Sequence, residues 1–466
     1  MTSGCTWQVQ RKTDIIAFVK PFEGDSYLHK FAIKVFGCQM NSYDGDRLRT
    51  AMLHQNWREC AEEEADVVIM VTCSIREKAE QKAASEIGRC DVQRRKRGGP
   101  AVVLVGCMAQ RIGREMAKKF PCVKLVFGPR HLGLVPQAIA EMTDDAPARF
   151  FMDDDPRALL DLEVIPTART NPFKAFVTIS YGCDRFCSYC IVPFVRGRLQ
   201  SRAPEEILKE TRMLIDGGVK EITLLGQNVD AYGKDFTNGY GFASLLKDTA
   251  NQDGLMRLRF ATSHPKDFDE DILEVMRERA DICRAINLPV QAGSDEILRQ
   301  MNRGYTSGQY LALVDKIRAA LPDVSLTTDL IVGFPGETDD DFRASCRMLE
   351  EVKFDIVHTA AYSPREGTRA AMMDGQIESR VKAARLNEIN GIQARIARNS
   401  NEQYVGQRFE MLADGFAPRG EGKIQGRTMT DKVVIIDGDQ SDFGRLIPVV
   451  VTRASHWSLE GERSDV

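Results

Sequence analysis

The run Cys183-Asp184-Arg185-Phe186-Cys187-Ser188-Tyr189-Cys190 directly follows the apolar segment FKAFVTIS at 173–180. Three thiolates separated by three and two residues can hold three irons of a [4Fe–4S] cube. No fourth cysteine follows at a matching interval. One iron is then left without a protein ligand, open to a substrate or cofactor. The alternative is a zinc site, although zinc sites usually close with a fourth Cys or His and no histidine is near. A second set is dispersed. Cys38, Cys73 and Cys107 each stand immediately after an apolar run: FAIKVFG (31–37), DVVIMVT (66–72) and AVVLVG (101–106). On a parallel sheet such strand ends share one edge, with neighbouring strands about 4.8 Å apart, and ligands bind outside that edge. The three thiols could converge on a second cluster with its own open iron. The alternative is three small cysteines that end buried strands by chance. Ser74 and Glu77 form an S-x-x-E pattern, expected to cap a helix starting just after Cys73. A helix N-terminus there would favour thiolate and cluster charge.

These positions require particular elements. In the first unit the apolar runs, with KLVF at 124–127, alternate with helical stretches, which predicts a parallel α/β sheet with right-handed crossovers. An Asp- and Pro-rich stretch, 143–172, reads as linker. From 173 six candidate strands follow: FKAFVTIS, EITLLG (221–226), MRLRFAT (256–262), RAINLPV (284–290), VSLTTDLIVG (324–333) and FDIVHTAAY (354–362). Separated by helical stretches, they predict an open six-stranded (β/α) partial barrel, whose site belongs at the C-terminal strand ends. Short polar groups fall at those ends: Gln227 and Asn228, Ser263 and His264, Gln291, and Asp329. In Gly333–Thr338 the glycines read as turn residues, and Thr338 with Asp341 as a helix cap. A long helical segment, 377–402, leads to short β-like runs with Gly and Asp turns, which predict a small β-barrel. The fold class is thus α/β. The expected division is an N-terminal extension (1–30), a sheet domain (31–150), a linker (151–172), a partial barrel (173–402) and a β-barrel module (403–466).

The chain has 466 residues, 43% hydrophobic and 28% charged, as an ordinary globular protein does. No apolar stretch reaches the roughly 18 residues a membrane span needs, and the first residues, MTSGCTWQVQRKTD, carry no export signal. The expected location is cytoplasmic. Twelve cysteines in such a chain read poorly as a disulfide framework. Cys5, Cys60, Cys90, Cys122, Cys283 and Cys346 read instead as small buried hydrophobes. A net charge of −4 argues against a non-specific nucleic-acid coat, yet a local basic patch suffices to dock a backbone. Residues 403–466 hold eight basic and ten acidic residues, but Arg419, Lys423, Arg427 and Lys432 gather on one stretch. Arg196, Arg198 and Arg202, close after the cysteine loop, are the other candidate phosphate contacts.

The cysteine loop, with Tyr189 as its aromatic, resembles the radical S-adenosylmethionine superfamily. That resemblance implies a methionine moiety chelated at the open iron, and Tyr189, Gln227, Ser263, Gln291 and Asp329 as cofactor contacts. Gly37-Cys38-Gln39-Met40-Asn41, Thr72 to Ala79, Gly106-Cys107, Val192 to Gly197, Leu288 to Gln291, Met301 to Thr306 and Gly426-Arg427-Thr428 resemble the methylthiotransferases, over roughly 31–455. Val71, Tyr181 and Ala292 depart from the usual pattern beside these motifs. The resemblance implies two [4Fe–4S] clusters, held by Cys38, Cys73, Cys107 and by Cys183, Cys187, Cys190, and S-adenosylmethionine used both for methylation and for radical generation. The tail resembles an RNA-binding TRAM module, with Lys423 and Arg427 beside Arg196 and Arg198 as RNA contacts. GCQMN, TCSIREKAE and MNRGYT resemble the tRNA branch, which acts on isopentenyladenosine at position 37. The alternatives are methylthiolation of a ribosomal protein and a non-catalytic iron–sulfur RNA-binding protein. Implied partners are a tRNA anticodon stem-loop, an electron donor such as a flavodoxin or ferredoxin, and iron–sulfur assembly proteins. No membrane is implied, and a monomer is expected.

Overall fold

A computed structural model describes residues 29–75, 77–143, 145–152 and 164–464. The expected N-terminal extension therefore lies almost wholly outside the described residues, as does much of the linker. No helix among the described residues is long and apolar enough to cross a membrane.

Six strands form an all-parallel first sheet: β1 (Lys30–Val35), β2 (Arg58–Glu59), β3 (Val67–Thr72), β4 (Ala101–Gly106), β5 (Val123–Phe127) and β6 (Arg149–Phe151). Their spatial order is β2-β1-β3-β4-β5-β6. Every residue of β3 and β4 is buried, because helices cover both faces. Val67, Ile69 and Val71 pack with Leu48 and Met52 of the helix Gln39–His54. The alternate residues Val68 and Met70 pack with Ala83 and Ile87 of the helix Glu77–Arg97. Arg149–Phe151 corrects the linker reading: Phe151 stacks on Phe127 at 4.6 Å, and this short strand finishes the sheet.

The second unit contains β7 (Lys174–Thr178), β8 (Ser180–Tyr181), β9 (Gln200–Ser201), β10 (Glu221–Leu225), β11 (Arg257–Ala261), β12 (Ala285–Asn287), β13 (Ser325–Val332) and β14 (Ile356–Ala361). The parallel trios β7-β10-β11 and β12-β13-β14 meet through few bonds, among them Cys283 N to Leu258 O (2.8 Å) and Ser263 N to Asn287 O (3.1 Å). No pairing closes β14 onto β7 among the described residues, so the six strands make an open partial barrel. RAINLPV shortens to three paired residues, because Pro289 has no N–H to give and Val290 N bonds the Thr328 side chain instead (2.8 Å). Thr338 and Asp341 do form a capping box.

The tail is a closed five-stranded barrel of β15 (Arg408–Phe416), β16 (Lys423–Arg427), β17 (Val433–Asp437), β18 (Leu446–Ala454) and β19 (Leu459–Arg463). It fills itself with Met411, Ile424, Val434, Ile436 and Val449. It docks against the amino ends of the partial-barrel strands. Lys174, opening β7, pairs with Asp414 (2.5 Å), and Lys432 reaches Asp355 (2.5 Å) just before β14. Arg257, opening β11 and 1% exposed, donates to the carbonyls of Arg427 and Glu410. Arg257→Met should remove both donations, at a cost of about 1–3 kcal/mol, and loosen the docking. The expected result is faster limited proteolysis between Glu402 and Arg408 than in the wild type. An unchanged cleavage rate would show that the docking does not depend on Arg257.

Candidate active site

Cys38, Cys73 and Cys107 follow the carboxyl ends of the adjacent strands β1, β3 and β4, where Val35 faces Val71 and Thr72 faces Gly106. The turn over the sheet edge needs glycine. Gly37 and Gly106 have φ of +107° and +103°, and a Cβ would lie 2.3 Å from Cys73 Cβ and 2.5 Å from the Thr72 carbonyl respectively. Cys73 and Cys107 are each 1% exposed. Cys38 precedes the helix Gln39–His54 as its N-cap. The Cys73 thiol donates to Cys38, and with the nearby Arg196 charge this holds Cys38 below the ordinary thiol range. The same bond, with burial, pushes Cys73 up. Burial pushes Cys107 up against the opposing Arg196 guanidinium. The expected cap on the following helix is corrected: that helix starts at Glu77, and Ser74 Oγ instead accepts from Arg111 Nε (3.3 Å).

The second trio lies on the loop leaving β8. Ser188 N bonds Met301 O (3.0 Å) and Cys190 N bonds Cys187 O (2.9 Å), so the loop is seated on the turn that carries Asn302 and Arg303. Buried Arg303 donates to Cys187 Sγ (3.3 Å) and to Pro289 O (2.9 Å). Burial pushes Cys190 up to about 12, with Cys187 adding to the effect. Arg185, within the loop, forms an ion pair with Asp267, whose side chain has no exposure and also takes Lys234 and Asn228 Nδ2.

The strand ends around this loop are strained and polar. Thr262, a β-branched residue, sits at φ +74° and Gln291 at +70°, positions such residues hold only under constraint. Among the described residues Ser180 Oγ, Ser188 Oγ, Gln227 Oε1, Asn228 Oδ1 and His264 Nε2 are buried without a hydrogen-bond partner. Burial pushes His264 down to about 2, so its ring is neutral. Burial likewise raises Asp230 to about 7, although it accepts from Ser263 Oγ (3.0 Å) and His264 N (2.8 Å). Of the sequence-derived cofactor contacts, Gln227 and Gln291 stand at the strand ends with buried side chains or atoms, Ser263 is engaged by Asp230, and Asp329 accepts from Asn287 Nδ2 (3.3 Å). Tyr189 Oη accepts from Arg303 (3.5 Å). Asp230 and Asp267 carried no signal in the sequence, and Arg303 only as part of the Met301–Thr306 motif, because a buried charge becomes visible only with its tertiary partners.

Arg196 is a correction. It is 3% exposed, and its Nε donates to Cys107 Sγ (3.2 Å), which leaves no face for RNA. Arg198 is exposed beside Asp184 (2.8 Å) and over the Phe186 ring. Lys423 pairs with Asp437 (3.3 Å) and Arg427 with Asp431 (3.0 Å), both partly exposed. Lys432 is turned inward. Of the six remaining cysteines, Cys90, Cys122 and Cys283 are buried and Cys60 and Cys346 partly so, while Cys5 lies outside the described residues.

Residues beside the two trios meet in two buried contacts between the domains. Met40 packs against Tyr181 and Leu225, and Cys107 against Ile191 and Val195. Family descriptions match in the same three segments: the uncharacterized protein family UPF0004 at 30–128, the radical SAM superfamily at 177–349 and the TRAM domain at 402–463. A protein of Moorella thermoacetica named tRNA-2-methylthio-N(6)-dimethylallyladenosine synthase is 43% identical over 440 residues, covering 93% of this chain and 98% of that relative. The chain belongs to the methylthiotransferase family of radical S-adenosylmethionine enzymes. A Natranaerobius thermophilus protein of the same name is 40% identical, covering 93% of this chain and 96% of its own. At the level of fold alone, a radical S-adenosylmethionine methyltransferase, TsrM from Kitasatospora setae, aligns with a TM-score of 0.51 at 16% identity, covering 71% of this chain and 73% of that one.

Methylthiotransferase cofactors are two [4Fe–4S] clusters and S-adenosylmethionine, and the donor sets suit them. Among the described residues no three His, Cys, Asp or Glu side chains could hold a single metal ion, whereas a cubane lets each thiolate take its own iron. The partnerless polar atoms at the barrel mouth suit an amino-acid and ribose ligand. Each trio is expected to load independently. Replacing Cys183, Cys187 and Cys190 together by Ala should remove about half the iron of the reconstituted enzyme, and replacing Cys38, Cys73 and Cys107 the other half. Complete loss of iron from either variant would point to one shared site.

Proposed function

We propose that this methylthiotransferase inserts a methylthio group at C2 of N6-isopentenyladenosine at tRNA position 37, beside the anticodon. Cys183, Cys187 and Cys190 hold one cluster, and Cys38, Cys73 and Cys107 hold the other. The observation that supports the reading is the burial of Met40 against Tyr181 and Leu225 and of Cys107 against Ile191 and Val195, which joins the strand-end edge of the N-terminal sheet to the region of the barrel cysteine loop. When bound, S-adenosylmethionine and the clusters supply hydrogen abstraction, methyl transfer and sulfur. The chain's own groups do the placing. Gln227, Asn228 and His264 offer partnerless polar atoms, with Tyr189, Ser263, Gln291 and Asp329 around them. Asp267 gathers Arg185, Lys234 and Asn228, and so fixes the cysteine loop to the ends of β10 and β11. Helices of the N-terminal domain meet the barrel at Met40, packed against Tyr181 and Leu225, and at Glu80, 3.7 Å from Arg365.

The adenosine lies in a single-stranded loop, where a base leaves its stack for a few kcal/mol. Arg198, Lys423 and Arg427 contact phosphates, which fix register without reading sequence. The location is cytoplasmic, with a flavodoxin- or ferredoxin-type reductant and iron–sulfur assembly proteins as partners. The deciding assay offers the reconstituted enzyme an anticodon stem-loop bearing isopentenyladenosine and, separately, a ribosomal protein. Product on the RNA is expected, and product on the protein alone overturns the substrate assignment. Arg198→Ala and Lys423→Ala should each weaken stem-loop binding and lower its salt slope by about 1. An unchanged slope in a filter-binding series removes that residue from the RNA interface.

A further inference from the structure

The helix Val192–Val195, just beyond the barrel cysteine loop, ends in Arg196, whose side chain leaves its own domain. It is 3% exposed. Its Nε donates to Cys107 Sγ at 3.2 Å, its Nη2 donates to Asn41 Oδ1 at 3.3 Å, and Nη2 stands 3.6 Å from Asp44 Oδ2. Asn41 in turn lies within 3.7 Å of Cys38 Sγ and donates its Nδ2 to Phe36 O, at the end of β1. The guanidinium therefore touches the N-terminal trio directly at Cys107 and through Asn41 at Cys38.

The backbone beneath it is fixed from both domains. Arg196 N bonds Val192 O (2.8 Å), Arg130 Nη1 of the N-terminal domain donates to Arg196 O (2.9 Å), and Cys183 N donates to Gly197 O (3.1 Å). One short piece of chain thus joins the first cysteine of the barrel loop to a sulfur of the other set. A structural ion pair with Asp44 would need only the Nη groups. Here the fork also spends its Nε on a thiol, a weak acceptor when neutral and a strong one when it carries thiolate charge.

We propose that Arg196 is a positioning residue of the N-terminal cluster: supplied by the barrel domain, it hydrogen-bonds the Cys107 sulfur and sets the cluster's charge balance and reduction potential. The inference rests on the reading that Cys38, Cys73 and Cys107 hold a cluster. Net charge and hydrogen bonds to the sulfurs are the protein's main means of setting such potentials, and partners outside the ligand set also orient the ligands. A buried cation beside the sulfur favours the reduced, more negative form.

The test uses full-length protein with Cys183, Cys187 and Cys190 replaced by Ala, reconstituted with iron and sulfide, so that only the N-terminal cluster remains. Its potential is followed by electron paramagnetic resonance during a dithionite titration, with Arg196 intact, as Arg196→Met and as Arg196→Lys. In Arg196→Met the ratio of oxidised to reduced cluster at a fixed poise should rise about tenfold, or about 59 mV for a one-electron couple. Arg196→Lys keeps the charge without the fork and should shift less, in the same direction. A cluster with wild-type midpoint in Arg196→Met overturns the inference. Should that variant fail to fold, a wild-type midpoint in Arg196→Lys does so. A parent protein that binds no iron overturns the ligand reading itself, and this is a separate outcome from an unmoved potential.

Discussion

Parallel strand pairing fixes where the chemistry sits, because it gathers all carboxyl ends onto one edge. Two such edges occur here, one on the N-terminal sheet and one on the partial barrel, and each carries three thiols. The helix Gln39–His54 brings them together. Met40 meets Tyr181 and Leu225, Tyr43 Oη donates to Glu210 (3.0 Å), and Arg202 pairs with the same carboxylate (2.8 Å). Because Cys38 is the N-cap of this helix, the element that docks the domains also holds one of the thiols. A shift in docking therefore moves the sulfur with it.

The buried charges around both sites follow one rule. Taking an ion out of water costs several kcal/mol unless partners meet it. Asp267 is met by Arg185, Lys234 and Asn228, and Arg303 by a sulfur, a carbonyl and Tyr305 (2.9 Å). Such groups are poor sources of stability, since apolar residues would fill the space as well. Their yield is orientation. Each fixes a loop that bears a cysteine or borders the barrel mouth, and it does so before any ligand arrives.

Some of this was legible in the sequence and some was not, for physical reasons. The barrel loop is local, so spacing alone exposes Cys183, Cys187 and Cys190. Cys38, Cys73 and Cys107 become a set only when strand ends are laid side by side, an inference that needs topology but no contacts. Arg196 was misread because a basic residue near a site looks the same in sequence whether it faces solvent or a thiol. Arg149–Phe151 hid among Asp and Pro, since three residues are too few to show alternation. Ser74 and Glu77 matched a capping pattern, but the helix starts at Glu77 and Ser74 serves Arg111 instead.

The tail barrel constrains how a nucleic acid can be held. Its contacts with Lys174, Arg257 and Asp355 lie at or near the amino ends of the barrel strands, and Arg259 reaches it from the middle of β11. The cysteine loop lies at the opposite edge. A five-residue strand such as β10 separates the two edges by roughly 17 Å, so one RNA segment that touches both must run along the flank of the barrel. In the proposed complex a stem with its loop turned into the mouth would meet that demand, since phosphates on the stem could reach the tail while the splayed base enters the site. In the proposed complex Arg427 and Lys423, each already paired with an aspartate, would exchange one anion for another. On that proposal the tail would add affinity through geometry more than through net charge, in keeping with its acidic balance.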